Sequence, residues 1–253
     1  MNELVAIILA AGKGVRMESE LPKVLHQVCG RPMIGWVVST VMDAGLKRVI
    51  LVIGHQAERV REALGEEKVE FVLQAEQKGT AHAVLQAEGL LKGFSGIVLV
   101  LCGDVPLLSP QTIKDLVHHH RSSNALATVL TAELEDPTGY GRIVRDDQGM
   151  VDRIVEEKDA TAEEKRIREV NSGLFCFQSD HLFPALRMVK ADNQQGEFYL
   201  TDVISIFREE NKRVAALLCP NEEEILGVNS PEQLLRVEGI MKKRSSRKVL
   251  DKG

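Results

Sequence analysis

Along the chain, short runs of apolar residues alternate with stretches in which apolar positions recur every three or four residues. Residues 4–10 are apolar at every position, without alternation, which marks a strand buried on both faces. Runs at 49–53, 69–73 and 97–101 repeat that signature, and the segments 33–44, 57–64 and 80–91 between them carry helical spacing. This β-α-β-α rhythm predicts an α/β fold, a largely parallel sheet with helices on both faces. The second half is less regular. Strands are predicted at 125–132, 141–145, 151–156 and 170–177, joined by turns at Asp136-Pro137-Thr138-Gly139 and Asp146-Asp147-Gln148-Gly149. A helix at 200–210, a strand at 214–219 and a terminal helix at 231–244 complete the pattern. No internal repeat or low-complexity linker interrupts it. The organisation expected is one domain over 1–229, followed by a C-terminal helix and basic tail over 230–253.

Open sheets of this kind take ligands beyond the carboxyl ends of their strands. Two unusual segments fall there. The first strand empties into Leu9-Ala10-Ala11-Gly12-Lys13-Gly14-Val15-Arg16-Met17, with Leu21-Pro22-Lys23 close behind. Glycines let backbone N–H groups approach a ligand, and Lys13, Arg16 and Lys23 supply charge where an anion would lie. The loop matches neither common nucleotide fingerprint. It lacks the G-x-x-x-x-G-K-[ST] spacing, and Met17 takes the third glycine position of G-x-G-x-x-G. Nor is a helix expected directly after the glycines, because Pro22 interrupts the region. A polyphosphate cradle and a basic surface loop are both open at this point.

The second segment, Cys102-Gly103-Asp104-Val105-Pro106, follows the run at 97–101. Ser109-Pro110 is the better cap for the helix after it, which leaves Asp104 without a structural task and poised to hold Mg²⁺ over the crevice. Gln74, at a third strand end, carries a donor and an acceptor that suit a nucleobase edge, and Gly79 would bring main chain to the same base. In the second half, Pro137–Arg142, Glu156 and Asn171-Ser172-Gly173 offer exposed backbone, a carboxylate and an amide of the kind that bind sugar hydroxyls. His118-His119-His120 reads as a solvated helix end, since consecutive helical residues diverge by about 100° and cannot share one ion.

Charge narrows the choice of ligand. The 253 residues carry a formal net charge of −5, which argues against a general nucleic-acid binder. Residues 242–253 hold six cations and one acid, so the remainder is strongly acidic; the cations complement the dipole of a terminal helix. The four cysteines are far apart, and three lie in or beside apolar runs, as buried thiols in a reducing compartment do. No stretch approaches the roughly 18–20 apolar residues of a membrane span, and the first run lacks the basic flank of a secretory signal. A cytoplasmic protein that engages neither membrane nor nucleic acid is expected.

Taken together, the glycine loop, Pro22-Lys23, Gln74, Gly79-Thr80, Gly103-Asp104 and Gly141 closely resemble a known family. It is the uridyltransferase domain of the bacterial bifunctional enzymes that make UDP-N-acetylglucosamine, in which N-acetylglucosamine-1-phosphate uridyltransferase is joined to glucosamine-1-phosphate acetyltransferase. The similarity runs from about Val5 to Arg236 and includes Pro22-Lys23-Val24-Leu25-His26, Leu73-Gln74-Ala75-Glu76-Gln77, Ile154-Val155-Glu156, Lys158-Asp159-Ala160 and Gly227-Val228-Asn229. The resemblance implies a Rossmann-like mixed, mostly parallel sheet of the nucleotide-diphospho-sugar transferase type. It implies uridylyl transfer from UTP to N-acetylglucosamine 1-phosphate in cell-envelope precursor synthesis. Leu9, Ala10, Ala11 and Gly12, with Gln74, Gly79, Thr80, Cys102 and Gly103, would hold the nucleotide. Arg16 and Lys23 would act on the phosphates, Asp104 and Asn229 would bind Mg²⁺, and Gly141, Glu156 and Asn171 would bind the sugar with Asn229 beside them.

Three departures from the family stand out. Val15 replaces the usual threonine, Cys102 stands where several relatives have tyrosine or serine, and the chain ends at Gly253. The acetyltransferase half, a left-handed β-helix, is therefore expected to be absent, together with its acetyl transfer and the oligomer contacts it supplies. Other sugar or nucleotide substrates, a glycosyltransferase and a non-catalytic nucleotide-sugar-binding subunit are the competing readings. The glycosyltransferase is disfavoured because Asp104-Val105-Pro106 is not D-x-D.

Overall fold

The first strand's apolar run is buried because it lies in the interior of the sheet. The computed structural model describes residues 3–65 and 67–250. The first half contains β1 (Glu3–Ala10), the short strands β2 (Gln27–Val28) and β3 (Arg31–Pro32), α1 (Met33–Asp43), β4 (Val49–Ile53) and α2 (Ala57–Leu64). β5 (Glu70–Leu73), α3 (Thr80–Leu85), β6 (Gly96–Cys102) and α4 (Pro110–Ser123) follow. The second half contains β7 (Ala127–Glu133), β8 (Arg142–Arg145), β9 (Val151–Val155), β10 (Glu169–Gln178) and α5 (Ser179–Leu186). It closes with α6 (Asp202–Glu209), β11 (Val214–Leu218) and α7 (Pro231–Leu250).

The main sheet runs β11-β7-β10-β6-β1-β4-β5, with β10 alone antiparallel along that path. The mixed, mostly parallel sheet expected from the sequence is therefore present. The β8–β9 hairpin joins it through the Val170–Arg142 pair on β10. Strand register brings four carboxyl ends level: Leu9 pairs with Cys102, Ala10 with Ile53, and Ile53 with Leu73. That row of strand ends forms the platform for the loops above it.

Alternate residues of β1 feed two cores. Ala6, Ile8 and Ala10 join Val37, Val38 and Val41 of α1 and Ile113 and Leu116 of α4 on one face. Val5 and Ile7 join the other, with Val84 of α3, Leu182 of α5 and Phe207 of α6. A third cluster sets Val237 and Met241 of α7 against Met17, Val28, Met33 and Val228, which pins the end of the glycine loop to the C-terminal helix. Among the described residues, no helix is long and apolar enough to cross a membrane.

Several local readings change. The helix expected at 80–91 stops at Leu85, and a turn of 3-10 helix, Glu88–Leu91, replaces its end; Gly89 is poor in a helix interior. The terminal helix continues past 244 to Leu250. A single 3-10 turn, Val15–Met17, does begin directly after Gly14, though no α-helix does. Of the histidine triplet, His118 is exposed but His120 is buried, with Nδ1 2.8 Å from Thr128 Oγ1. His120 lies on the apolar face of α4, one turn on from Leu116 and Val117, so the solvated-end reading fails there. Desolvation lowers its pKa to about 4. Cys176 and Cys219 are buried and Cys102 half-buried, while Cys29 is exposed on the β2–β3 turn.

Candidate active site

A cleft of about 390 Å³ opens above the carboxyl ends of β1, β5 and β6. Leu9, Ala10, Ala11, Gly12, Lys23, Gln74, Gly79, Thr80, Cys102 and Asp104 all line it. Two residues expected at the nucleotide or its phosphates lie elsewhere. Gly103 sits beneath the floor: its N–H donates to Leu9 O at 2.9 Å, and a Cβ there would come within 2.8 Å of Ile34 Cδ1. It is a packing glycine that lets β6 end against β1. Arg16 is exposed at the rim, outside the lining, and makes no ion pair among the described residues.

The loop is shaped by its contacts. Gly14 has φ +63°, and a side chain there would put Cβ 2.5 Å from Lys23 Cβ, so only glycine lets the loop fold over Lys23. Met17 N donates to Gly14 O at 2.9 Å, and His55 N to Ala11 O at 3.1 Å, which holds the loop at both ends.

Lys23 is the hub of the site. Its Nζ is paired with Asp104 Oδ2 and donates to Asn229 Oδ1 at 2.9 Å. Asp104 and Asn229 are far apart in sequence and meet because Val228 N donates to Asp104 O at 3.0 Å. Two hard oxygens thus already surround one cationic atom. Among the described residues, no group of three or more His, Cys, Asp or Glu side chains could hold a metal. One carboxylate and one amide oxygen are nevertheless a suitable protein share for Mg²⁺, which completes its shell with water and substrate phosphates.

Gly79 lines the cleft and has a packing task as well. A Cβ there would lie 2.5 Å from Phe198 O, so the glycine admits the Phe198 backbone, which accepts from Ala81 N at 2.9 Å. Thr80 Oγ1 accepts from Leu200 N at 2.9 Å and ties the same wall to the chain before α6.

The sugar-binding candidates gather beyond Cys102. Asn171 N donates to Gly141 O at 2.8 Å, and a Cβ on Gly141 would be 3.5 Å from both carboxylate oxygens of Glu156. Gly173 N donates to Asn171 Oδ1 at 2.9 Å, and the Gly173 Cβ position is 3.4 Å from Cys102 Sγ. Cys102 therefore joins the two halves of the site. Burial, reinforced by Asp104, pushes its thiol up to about 12, so it serves as a neutral wall rather than a nucleophile. Desolvation raises the Glu156 pKa, while the Thr201 hydroxyl, donating to Oε1 at 3.2 Å, lowers it, and the nearby charges of Asp202, Asp159 and Glu197 raise it further. Asp202 rises to about 6, through desolvation first and Asp159 second.

Sequence reasoning missed several members. Thr201 orients Glu156, and nothing local in the sequence marks it. Tyr140, inside the 137–142 segment singled out from the sequence, has its pKa raised by desolvation and is hydrogen-bonded to the Gly227 backbone beside Asn229, a contact the sequence did not show. Gly54 did carry a signal, a glycine immediately after β4; a Cβ there would meet Ala11 O at 2.9 Å and Gln77 Nε2 at 2.8 Å.

A glycine-rich loop over parallel strand ends, a lysine–aspartate–asparagine cluster and a polar second half define the nucleotide-transferring class of α/β proteins. Residues 5–222 match the family described as Nucleotidyl transferase, and the chain belongs to that family. Over 253 residues, its whole length, the chain is 52% identical to the bifunctional protein GlmU of Halalkalibacterium halodurans, of which it covers 55%. Over 252 residues it is 50% identical to the bifunctional protein GlmU of Pelotomaculum thermopropionicum, again covering 55%. The chain thus spans about half the length of the curated relatives it matches. A crystal structure of UDP-glucose pyrophosphorylase complexed with UDP-glucose shares the fold, with a TM-score of 0.79 over 96% of this chain and all of that one, at 21% identity. Membership of the family implies a nucleoside triphosphate and a sugar phosphate as substrates, and its members generally use a divalent metal.

Proposed function

We propose that this chain transfers the uridylyl group of UTP to N-acetylglucosamine 1-phosphate, releasing pyrophosphate and forming UDP-N-acetylglucosamine, with Mg²⁺ as the metal. The observation that carries the reading is the Lys23–Asp104–Asn229 cluster. It stands at the Cys102 junction between a wall suited to a base and a group of residues suited to a sugar. The identity to the two GlmU proteins supports the choice of substrates.

The sugar phosphate needs little activation. A phosphate monoester has a second pKa of about 6, so the attacking oxygen is already anionic at neutral pH. That oxygen attacks the α-phosphorus of UTP, a new P–O bond forms, and the bond to the β-phosphate breaks to release pyrophosphate. The obstacle is bringing two polyanions into line, so the site's work is positioning and charge neutralisation. Lys23, half-buried under the loop, places a fixed positive charge where the reacting phosphates meet. Lys13 lines the cleft, and Arg16, exposed at its rim, remains available for the leaving pyrophosphate. The backbone of residues 9–12 and the wall around Gln74 and Gly79 hold the nucleoside, while Glu156 and Asn171 accept from and donate to the sugar. A Mg²⁺ ion held by Asp104 and Asn229 supplies charge neutralisation and a template for the phosphate oxygens when bound.

The test is pyrophosphate release from the purified chain with UTP, N-acetylglucosamine 1-phosphate and Mg²⁺. Controls omit the metal or replace one substrate by glucose 1-phosphate or TTP. Release that needs all three components, and falls with either replacement, is expected. Equal release with glucose 1-phosphate or TTP, or none with UTP, would refute the assignment.

A further inference from the structure

Gln74 is held too tightly for a residue that merely lines a wall. It is 3% exposed, its N–H donates to Ile53 O at 2.8 Å, and its C=O accepts from Gln77 Nε2 at 2.9 Å. Its side-chain amide nitrogen lies 3.1 Å from Gly79 O and 3.0 Å from His82 Nδ1. A backbone carbonyl only accepts, so the group facing Gly79 O must be the NH₂, which fixes the sense of the amide. Its second hydrogen then points at His82 Nδ1, which must be the unprotonated nitrogen of the ring. Both amide hydrogens are used inside the protein. The one Gln74 polar atom without a partner among the described residues is Oε1, a pure acceptor.

His82 has a second suitor. Gln86 Nε2 is 3.2 Å from His82 Nε2 and donates to His82 O at 2.9 Å. A neutral imidazole has one acceptor nitrogen and cannot serve both amides. Burial decides between them. Gln74 has no water to turn to, and an unmet donor there would carry the full desolvation cost, whereas the half-buried Gln86 already has a carbonyl partner. The ring therefore accepts from Gln74 at Nδ1 and carries its hydrogen on Nε2.

We propose that His82 is a positioning residue for base selection: its Nδ1 locks the Gln74 amide so that Oε1 faces the bound base as an acceptor. Such a wall favours a pyrimidine whose N3 carries a hydrogen, uracil or thymine, over cytosine, whose N3 is itself an acceptor. The inference rests on the uridylyl reading above and deepens it. Without His82 only Gly79 O holds the amide in this sense. One of its two anchors is lost, and a turned amide whose NH₂ meets an acceptor becomes easier to reach.

The experiment compares UTP and CTP, by equilibrium binding and by pyrophosphate release, in wild type, His82→Leu and His82→Asn. Asparagine can set an amide oxygen about where Nδ1 stands. In His82→Leu the UTP-to-CTP preference should fall about tenfold, the scale of one neutral hydrogen bond, through KM rather than kcat. His82→Asn should restore most of it. If His82→Leu keeps the wild-type preference, the proposal is wrong although the uridylyl reading stands. If wild type itself shows no preference for UTP, both fail. A purely structural role would lower thermal stability in both variants and leave the preference unmoved, which also overturns the proposal. Should His82→Leu not fold, nitrogen NMR of wild type at alkaline pH decides: the hydrogen is expected on Nε2, and finding it on Nδ1 refutes the lock.

Discussion

The two halves of the site are built on opposite principles. The half proposed for the nucleotide, over β1, β4, β5 and β6, is mostly backbone and glycine, and its polar side chains Lys23 and Gln74 are already bonded inside the protein. The half proposed for the sugar, around β8, β9 and the start of α6, is a set of carboxylates whose pKa values burial and mutual repulsion raise. The first half is shaped before a ligand arrives. The second half keeps a buried acceptor without a hydrogen-bond partner among the described residues, Asp159 Oδ2, which a ligand hydroxyl could meet. In the proposed arrangement the anion site and the acidic sugar site face each other across Cys102, which contributes no charge.

The division can be broken most severely at the junction. Replacing Asp104 with alanine removes the Lys23 partner and the single carboxylate expected to hold the metal. A loss of about 10²–10³-fold in kcat for pyrophosphate release is expected, the scale of one preorganised electrostatic group. Near-normal turnover at saturating Mg²⁺ would remove Asp104 from the machinery. Next in size, Glu156→Gln should raise KM for the sugar phosphate about tenfold and leave KM for UTP unchanged. A matched rise in both would mean that the halves do not work separately.

Smaller effects appear in the pH dependence of stability, with opposite signs in two places. The folded Asp202 titrates at about 6 against an ordinary 3.8, so between those values the folded state holds more protons than the unfolded chain. Its contribution is present below that window and is lost as pH rises through it. Asp202→Asn should therefore raise Tm increasingly from the bottom of the window to the top. His120, far from the carboxylates under β7 and β10, behaves inversely. Its folded pKa of about 4 lies below the ordinary 6.5, so stability is present above that window and is lost as pH falls through it. In His120→Gln, which keeps a donor and an acceptor beside Thr128, that acid-side decline should flatten. Thermal melts across both windows measure the two slopes, and equal slopes in variant and wild type would contradict either assignment.

The same contrast explains what could be read without the structure. Backbone-dictated features announce themselves locally: the unbroken apolar run before Ala11, the small residues of the loop and the Gly103-Asp104 pair after β6 were all legible. So was the Ser109-Pro110 cap, whose hydroxyl accepts from Thr112 N at 3.1 Å. Features made by long-range contact were not. That the Phe198 backbone presses on Gly79 and that Thr201 orients Glu156 depend on how distant segments dock, and that His82 faces Gln74 depends on how α3 is set against the end of β5. α5 escaped because it follows β10 without a break and contains Pro184, while β2 and β3 are two residues each, too short for any period to show. His120 was legible in principle, since its helical spacing from Ile113, Leu116 and Val117 marks the buried face.

The division of labour is put at risk most directly by a crystal structure of this chain with UDP-N-acetylglucosamine and Mg²⁺. The expected result places uracil against Gln74 Oε1 and Gly79, the diphosphate at Lys23, Asp104 and Asn229, and the sugar at Gly141, Glu156 and Asn171. A sugar lodged on the Gln74 wall, or a uracil among the carboxylates around Glu156, would contradict it.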